Sequence, residues 1–277
     1  MLGEHAFVLP IILVVYLPLS FFITYGIAVC EGHVQAGFPY ISDTGTFPPE
    51  SCVFGQLLNI GAVLFGVTVH VRYMQIDCFY RNTGRPKVLL VNRLSYGMAI
   101  VAAVGVSMVG NFQETNVIAI HLLGACLAFG VGGLYCFTQT GLSFKIKNLP
   151  GASACTRKVR VVLCIADIIL LIALFVASKL AFDKMQPSTD RYKWTPGDEG
   201  YSEHLVSTVS EWVIAIVTVS FLLTFVREFS QIRVQPMCVS FQKKTQTAPE
   251  PVIILPGSSN VEGTDNAAYT NDDKTHM

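Results

Sequence analysis

Residues 7–29 read FVLPIILVVYLPLSFFITYGIAV, a run of 23 positions without a charged side chain. A helix of about 20 apolar residues crosses the roughly 30 Å hydrocarbon core of a bilayer, because each residue adds about 1.5 Å. No basic segment precedes the run, and it is longer than the apolar core of a cleaved signal peptide. We therefore interpret residues 7–29 as a retained transmembrane helix.

Five further apolar runs of similar length follow, and the last two each carry one carboxylate, Asp167 or Glu211. The whole chain is 52% hydrophobic and only 14% charged, against roughly 25% charged in an average soluble domain. We predict an all-α integral membrane protein, a six-transmembrane-helix bundle within residues 1–233. The predicted spans are residues 7–29, 52–71, 93–112, 117–140, 161–181 and 205–226.

The distribution of Lys and Arg predicts the orientation, because cytoplasmic segments of membrane proteins are enriched in both. Residues 31–51 contain neither. Ten basic residues cluster after spans two and four, so both termini are predicted to be cytoplasmic. These ten are Arg72, Arg81, Arg85, Lys87, Arg93, Lys145, Lys147, Arg157, Lys158 and Arg160. Residues 234–277 are rich in Thr, Pro, Ser, Asn and Gly, which predicts a disordered cytoplasmic tail.

Composition and residue spacing argue against several classes of function. The net charge is +0, and no basic stripe is present, so we expect no nucleic acid as a partner. The six histidines are scattered, and they supply neither paired haem ligands nor three metal ligands at one depth. We therefore predict no catalytic residue, no cofactor and no metal, and we do not expect an enzyme.

Asp167 and Glu211 are the strongest candidates for chemistry within the membrane, because ionisable groups there are costly and often functional. Each lies about seven residues, or about 10 Å, inside a predicted span, and the two enter from opposite faces. We interpret them as structural groups that pair or orient helices. The alternative is a channel or transporter, in which they share a water-filled path with His70, His121 and Lys179.

The segment PYISDTGTFPPES at residues 39–51 is the most distinctive stretch outside the predicted spans. We expect Gly45 to adopt a positive φ and the pair Pro48-Pro49 to stiffen the entry to span two. Ser51 is expected to cap the helix that follows. These features predict a rigid lid that fixes spans one and two.

Two shorter features concern processing and trafficking. Cys30 and Cys52 flank the loop at the ends of spans one and two, so they either form a disulfide in an oxidising lumen or remain free thiols. In the tail, an acidic residue precedes an apolar pair in the pattern of a dileucine sorting signal. Its residues are Glu250, Ile254 and Leu255.

The loop motif resembles that of the damage-regulated autophagy modulators (DRAM), six-span proteins of the wider FGF-receptor-activating-protein superfamily. The matching loop residues are Pro39, Tyr40, Ile41, Ser42, Asp43, Thr44, Gly45, Pro48, Pro49, Glu50 and Ser51. Shorter matches follow in the family's order at Asn111, Phe112, Gln113, Trp194, Pro196, Tyr201, Glu211 and Trp212. The resemblance extends over about residues 7–233.

The resemblance implies a lysosomal or endosomal membrane protein that promotes or tunes autophagy by recruiting or regulating other proteins. It carries over no catalytic residue, and the expected partners are the lipid bilayer and unidentified cytoplasmic or membrane proteins. The wider superfamily suggests an alternative, a plasma-membrane scaffold linked to phosphoinositide signalling. The ten basic residues suit anionic lipids as partners, although the positive-inside bias alone also explains them.

Overall fold

The computed structural model describes residues 5–234 and is built from helices and loops, with no strand among those residues. Six helices are long and apolar enough to cross a membrane, which confirms the predicted fold class. Their bounds are α1 Val8–Cys30, α2 Glu50–Tyr80, α3 Pro86–Asn111, α4 Ile118–Lys145, α5 Ala154–Lys184 and α6 Tyr201–Phe229. Apart from Val234, the predicted tail lies outside the described residues.

The outer surface of the bundle is apolar, whereas its interior combines a hydrophobic core with buried polar side chains, as expected of a protein whose solvent is lipid. Helix α5 shows the pattern within three turns. Val162 and Ile169 are 65% and 61% exposed on its outer face, whereas Arg160 and Asp167 are 0% and 4% exposed on its inner face. In water this arrangement would expose a broad apolar surface, so the outer faces of the helices are suited to acyl chains.

Several helices extend beyond the predicted spans. Helix α2 continues to Tyr80 and α5 begins at Ala154, so Arg72 and Arg160 lie on helices rather than in connecting segments. Both side chains are fully buried. The interpretation of these two residues as loop cations is therefore corrected, because the helices carry them into the bundle, where a carboxylate partner compensates their charge.

Small residues allow close contacts between neighbouring helices, as in many membrane bundles. A Cβ atom on Gly55 of α2 would lie 2.7 Å from the carbonyl oxygen of Gly110 in α3. A Cβ atom on Gly105 of α3 would lie 2.6 Å from the backbone nitrogen of Ala128 in α4. These contacts leave no room for side chains at either glycine and fix α3 between α2 and α4.

The alternating direction of the helices places the connecting segments at two ends of the bundle. We call one end the loop face, which carries residues 31–49, 112–117 and 185–200. The other end, the basic face, carries the remaining connecting segments and the helix turns next to them, at residues 81–87, 145–158 and 227–234. The loop face contains most of the family motif, and the basic face contains most of the exposed Arg and Lys side chains.

Candidate functional site

Residues 31–49 fold over the loop face, and we call this segment the loop cap. Helix α6 holds the central part of the loop cap through three hydrogen bonds. The donors and acceptors are Tyr40 Oη to Ser207 Oγ (2.7 Å), Ile41 N to Glu211 Oε2 (2.5 Å) and Trp212 Nε1 to Pro39 O (2.9 Å). Glu211 therefore orients the loop cap by accepting a backbone N–H group.

The loop cap is also fixed to α1 and α2, the two helices that it connects. The hydroxyl groups of Thr24 and Thr44 lie 3.2 Å apart. A short 3₁₀ turn at Asp43–Gly45 presses Gly45 against Phe54, and a Cβ atom on Gly45 would lie 2.9 Å from Phe54 Cβ and nearer still to its ring. This close contact, rather than backbone conformation, requires glycine at position 45.

Two expectations for this segment are wrong. Gly45 does not adopt a positive φ, because the 3₁₀ turn keeps its backbone in the right-handed region. Ser51 does not cap α2, since the helix begins at Glu50 after Pro49 and no side-chain hydrogen bond caps it. The peptide bond between Pro48 and Pro49 is cis.

The loop cap also contacts the other two segments of the loop face. Ser42 Oγ donates to Glu114 Oε2 at 3.4 Å, and Glu114 forms an ion pair with Arg191. Residues 112–117 and 185–200 are thereby joined to each other and to the loop cap. Because Glu114 contacts both Ser42 and Arg191, the three segments of the loop face share one polar network.

Aromatic rings complete this network above α6. The rings of Trp194 and His204 stack with centroids 4.5 Å apart, and Tyr40 meets His204 edge-on at 5.2 Å. Trp194 Nε1 donates to the carbonyl oxygen of Arg191 at 2.9 Å. Trp194, which the family motif singles out, therefore packs the segment at 185–200 onto the first turn of α6.

Two carboxylates of the motif are buried in the loop face. Asp43 is 2% exposed; burial, together with the nearby charge of Glu211, raises the pKa of Asp43 to about 8, although Arg191 opposes the shift. Glu50 is fully buried, and its Oε1 lies 2.6 Å from His33 Nδ1. These carboxylates are packed inward, so the loop motif forms a structural cap more than an exposed recognition surface.

The remaining motif residues lie around this network. Asn111 Nδ2 donates to Asn59 Oδ1 at 2.9 Å between α3 and α2, and the Phe112 carbonyl lies 2.7 Å from His121 Nδ1. Five further members have solvent-exposed or half-buried side chains. They are Gln113, Tyr201, Pro48, Pro49 and Pro196.

Cys30 and Cys52 do not form the disulfide that the sequence left open. Both are free and exposed thiols. The loop cap is held instead by the hydrogen bonds of Tyr40, Ile41 and Pro39 to α6. Glu250, Ile254 and Leu255, the predicted sorting signal, lie outside the described residues.

A second polar cluster lies inside the bundle near the basic face. Arg72 Nη1 and Arg160 Nη2 lie 2.8 Å and 2.7 Å from Glu228 Oε2, and all three side chains are at most 2% exposed. Both guanidinium groups also face the ring of Phe225, at 4.8 Å and 5.0 Å from its centroid. Buried charges of this kind require partners for every group.

Neutral groups supply further hydrogen bonds to this cluster, while Arg72 Nη2 is buried without a partner among the described residues. Arg72 Nε donates to Gln139 Oε1 at 3.1 Å, and Arg160 Nε donates to Thr224 Oγ1 at 2.9 Å. Gln75 Nε2 donates to the carbonyl oxygen of Glu228 at 2.7 Å. The cluster therefore joins α2, α4, α5 and α6 at one depth.

Sequence reasoning missed this second cluster. Glu228 was not considered, and Arg72 and Arg160 were interpreted as loop cations. The available signal was Glu228 itself, an acidic residue directly after an apolar run whose neighbouring segments are basic. On a hydropathy profile, charged residues such as these mark the boundary of a span. That their side chains face inward becomes visible only when the helices are packed together.

Asp167 and Glu211 bond different partners. Asp167 Oδ1 accepts a long hydrogen bond of 3.4 Å from Thr218, whereas Glu211 bonds the loop cap. His70 and Lys179, which the transport alternative included, are exposed on the outer surface. The structure does not bring these residues together along one path. A separate point concerns metal binding: no group of three or more His, Cys, Asp or Glu among residues 5–234 is arranged to hold a metal ion.

Residues 5–232 match the family described as the Frag1/DRAM/Sfk1/Cwh43P N-terminal domain. The chain is 35% identical to DNA damage-regulated autophagy modulator protein 2 of Homo sapiens, over 81% of this chain and 84% of the relative. It is 34% identical to DNA damage-regulated autophagy modulator protein 1 of Xenopus laevis, over 84% and 94%. It is 36% identical to Modulator of macroautophagy TMEM150B of Xenopus tropicalis, over 76% and 80%. No solved structure matches the chain.

Proposed function

The chain belongs to the Frag1/DRAM/Sfk1/Cwh43P family, and on this basis we propose that it modulates autophagy from lysosomal or endosomal membranes by regulating or recruiting other proteins. The observation that carries the proposal is the similarity to relatives named as autophagy modulators, at 34–36% identity. The matched region includes both polar clusters. We further propose that the role is non-catalytic, in keeping with relatives that are named as modulators.

The basic face is the surface best suited to partners. The family loop motif packs inward, whereas the side chains on the basic face point outward and carry charge. Residues 81–87 and 145–158 contain no Asp or Glu. Their exposed cations are Arg81, Arg85, Lys87, Lys145, Lys147 and Lys158. Such a surface attracts acidic protein segments or anionic lipid headgroups.

We propose that this basic face lies on the cytoplasmic side, with both termini. Exposed Lys and Arg next to membrane helices favour that side during insertion. The charges of the buried Arg72 and Arg160 are compensated by Glu228. The proposed orientation therefore depends on the exposed cations. The machinery that controls autophagosome turnover would then be reachable from the basic face.

The test is to express the fluorescently tagged full chain, score its overlap with lysosomal and plasma-membrane markers, and follow autophagosome turnover as expression is raised and lowered. We expect lysosomal overlap and altered turnover. A stable plasma-membrane signal with unchanged turnover would contradict the proposal and favour a scaffold for lipid signalling.

A charge variant tests the role of the basic face. Arg85→Gln, Lys87→Gln, Lys147→Gln and Lys158→Gln together should abolish the effect on turnover at normal abundance. The matched control is Lys179→Gln with Lys193→Gln, which removes exposed cations from the other end. Antibody access to a C-terminal epitope in selectively permeabilised cells must stay unchanged, which separates loss of partner binding from inverted insertion.

A further inference from the structure

An internal pocket lies within the bundle, directly beneath the loop cap. It is a cavity of about 100 Å³ whose apolar wall includes Phe21, Phe54 and Phe129. Ser42 and Glu211 border it at the loop face. A smaller cavity of about 60 Å³ continues towards the basic face. The two share Leu17, Val106, Ala128, Thr218 and Val219.

The backbone of α4 departs from regular geometry where it borders this space. Residues Cys126–Val131 form a π-helical turn, and Ala128 within this turn lines both cavities. Such turns are rare, and in helices they are found frequently at functional sites. Protein interiors otherwise leave few voids larger than a water molecule, so a distorted turn beside two adjoining cavities indicates a space for a ligand.

Among the described residues, one ionisable side chain borders the larger cavity, and it lies at the loop-face end. Glu211 borders the cavity, and its Oε2 is bonded to the N–H of Ile41. Asp43 lies close enough to Glu211 for the two carboxyl groups to interact electrostatically. Arg191, the cation that acts on Asp43, is paired with Glu114. Glu211 has no ion-pair partner among residues 5–234, so a cationic ligand in the cavity would complement its carboxylate.

We propose that this cavity binds a lipophilic primary amine, with the ammonium group against Glu211 and the apolar part between Phe21, Phe54 and Phe129. An ammonium group donates hydrogen bonds to a carboxylate and compensates its charge in a medium where an isolated charge is costly. This inference goes beyond the proposed function and does not depend on it.

The size of the cavity limits the ligand. An apolar cavity of about 150 Å³ binds benzene, so about 100 Å³ with its smaller extension suits a short alkyl chain or a single ring. Hexylamine is the probe of choice, and hexanol is its matched neutral control. The two have the same chain length and differ in the charge of the head group.

The experiment uses the purified full chain in lipid nanodiscs at pH 7.5, with titration calorimetry and thermal unfolding as readouts. Hexylamine should bind saturably and raise the unfolding temperature, and its affinity should exceed that of hexanol at least tenfold. Equal affinities would overturn the assignment of an amine, and an absence of saturable binding would overturn the site.

Three variants locate the binding. Glu211→Gln keeps an oxygen that accepts the Ile41 N–H and should remove the preference for the amine. Asp183→Asn removes an exposed carboxylate on α5 and should change nothing. Val106→Phe fills the space shared by both cavities and should abolish binding of both probes. Unchanged hexylamine binding in Glu211→Gln or Val106→Phe would place the amine elsewhere and overturn the proposal.

Discussion

Glu211 Oε2 lies 2.5 Å from the backbone nitrogen of Ile41, so a carboxylate inside a membrane helix holds a loop that is 170 residues away in the chain. A buried backbone donor such as the Ile41 N–H needs an acceptor, because an unpaired buried N–H costs as much as a lost hydrogen bond. The loop cap and α6 are therefore mutually dependent.

Replacing Glu211 with Leu should detach the loop cap. The buried Ile41 N–H group loses its acceptor, and an unsatisfied group of this kind costs about 1–3 kcal/mol. We expect a lower unfolding temperature in detergent and a lower steady-state level in cells, whereas Glu211→Gln should show a smaller loss. Glu199→Leu, at an exposed site on the same face, is the control. Equal stability of Glu211→Leu and Glu199→Leu would show that the carboxylate does not anchor the loop.

Gly45→Ala should destabilise the protein through steric conflict with Phe54. The new methyl group would overlap the ring, and overpacking of this kind costs about 1–3 kcal/mol. The double variant Gly45→Ala with Phe54→Leu should recover part of that loss, because the smaller side chain makes room. Gly66→Ala is a matched control on the same helix as Phe54, since nothing lies within 4 Å of the added Cβ. Additive losses in the double variant would exclude the steric explanation.

The membrane helices could be predicted from the sequence because lipid imposes a simple requirement. A long run such as residues 7–29 has to satisfy its backbone internally, and a helix does so without any tertiary partner. The contacts at the loop cap could not be predicted in the same way. The bond between Ile41 and Glu211 depends on where α6 lies relative to the loop, and this information resides in packing.

Local signals were insufficient at two other places. Arg72 and Arg160 mark the end of an apolar run by hydropathy, yet the helices continue and turn both side chains towards Glu228. The π-helical turn at Cys126–Val131 lies in an ordinary apolar sequence with no proline. Charge compensation and interior packing depend on how the helices assemble. They therefore cannot be predicted from the sequence pattern of one helix alone.

Glu228→Gln should be strongly destabilising. It leaves the guanidinium groups of Arg72 and Arg160 buried together without a compensating charge, and breaking a buried pair in this way costs about 3–5 kcal/mol. We expect little folded protein, measured as the monodisperse fraction after detergent extraction. Adding Arg160→Met should restore part of the folded fraction because it removes one of the two cations. A normal yield of Glu228→Gln alone would contradict the assigned role.

Asp43 should make the stability of the loop cap depend on pH. Its pKa is about 8 in the folded protein, against about 3.9 for an unperturbed Asp, so folding favours the protonated form. The resulting contribution to stability is fully present below about pH 4 and is lost as the pH rises through about 8. The protein should therefore be more stable in acid than at neutral pH, by on the order of 1 kcal/mol or more.

The replacement Asp43→Asn tests this dependence, because Asn resembles the protonated carboxyl group and keeps an oxygen that accepts a hydrogen bond. Thermal unfolding of the wild-type chain, measured from pH 5 to pH 8.5, should show a falling unfolding temperature. The variant should show a flatter profile and exceed the wild type at pH 8.5. Asp190→Asn, on an exposed loop residue, should follow the wild-type profile. Parallel profiles for wild type and Asp43→Asn would mean that another group carries the pH dependence, because Asp43 is the group removed in that variant.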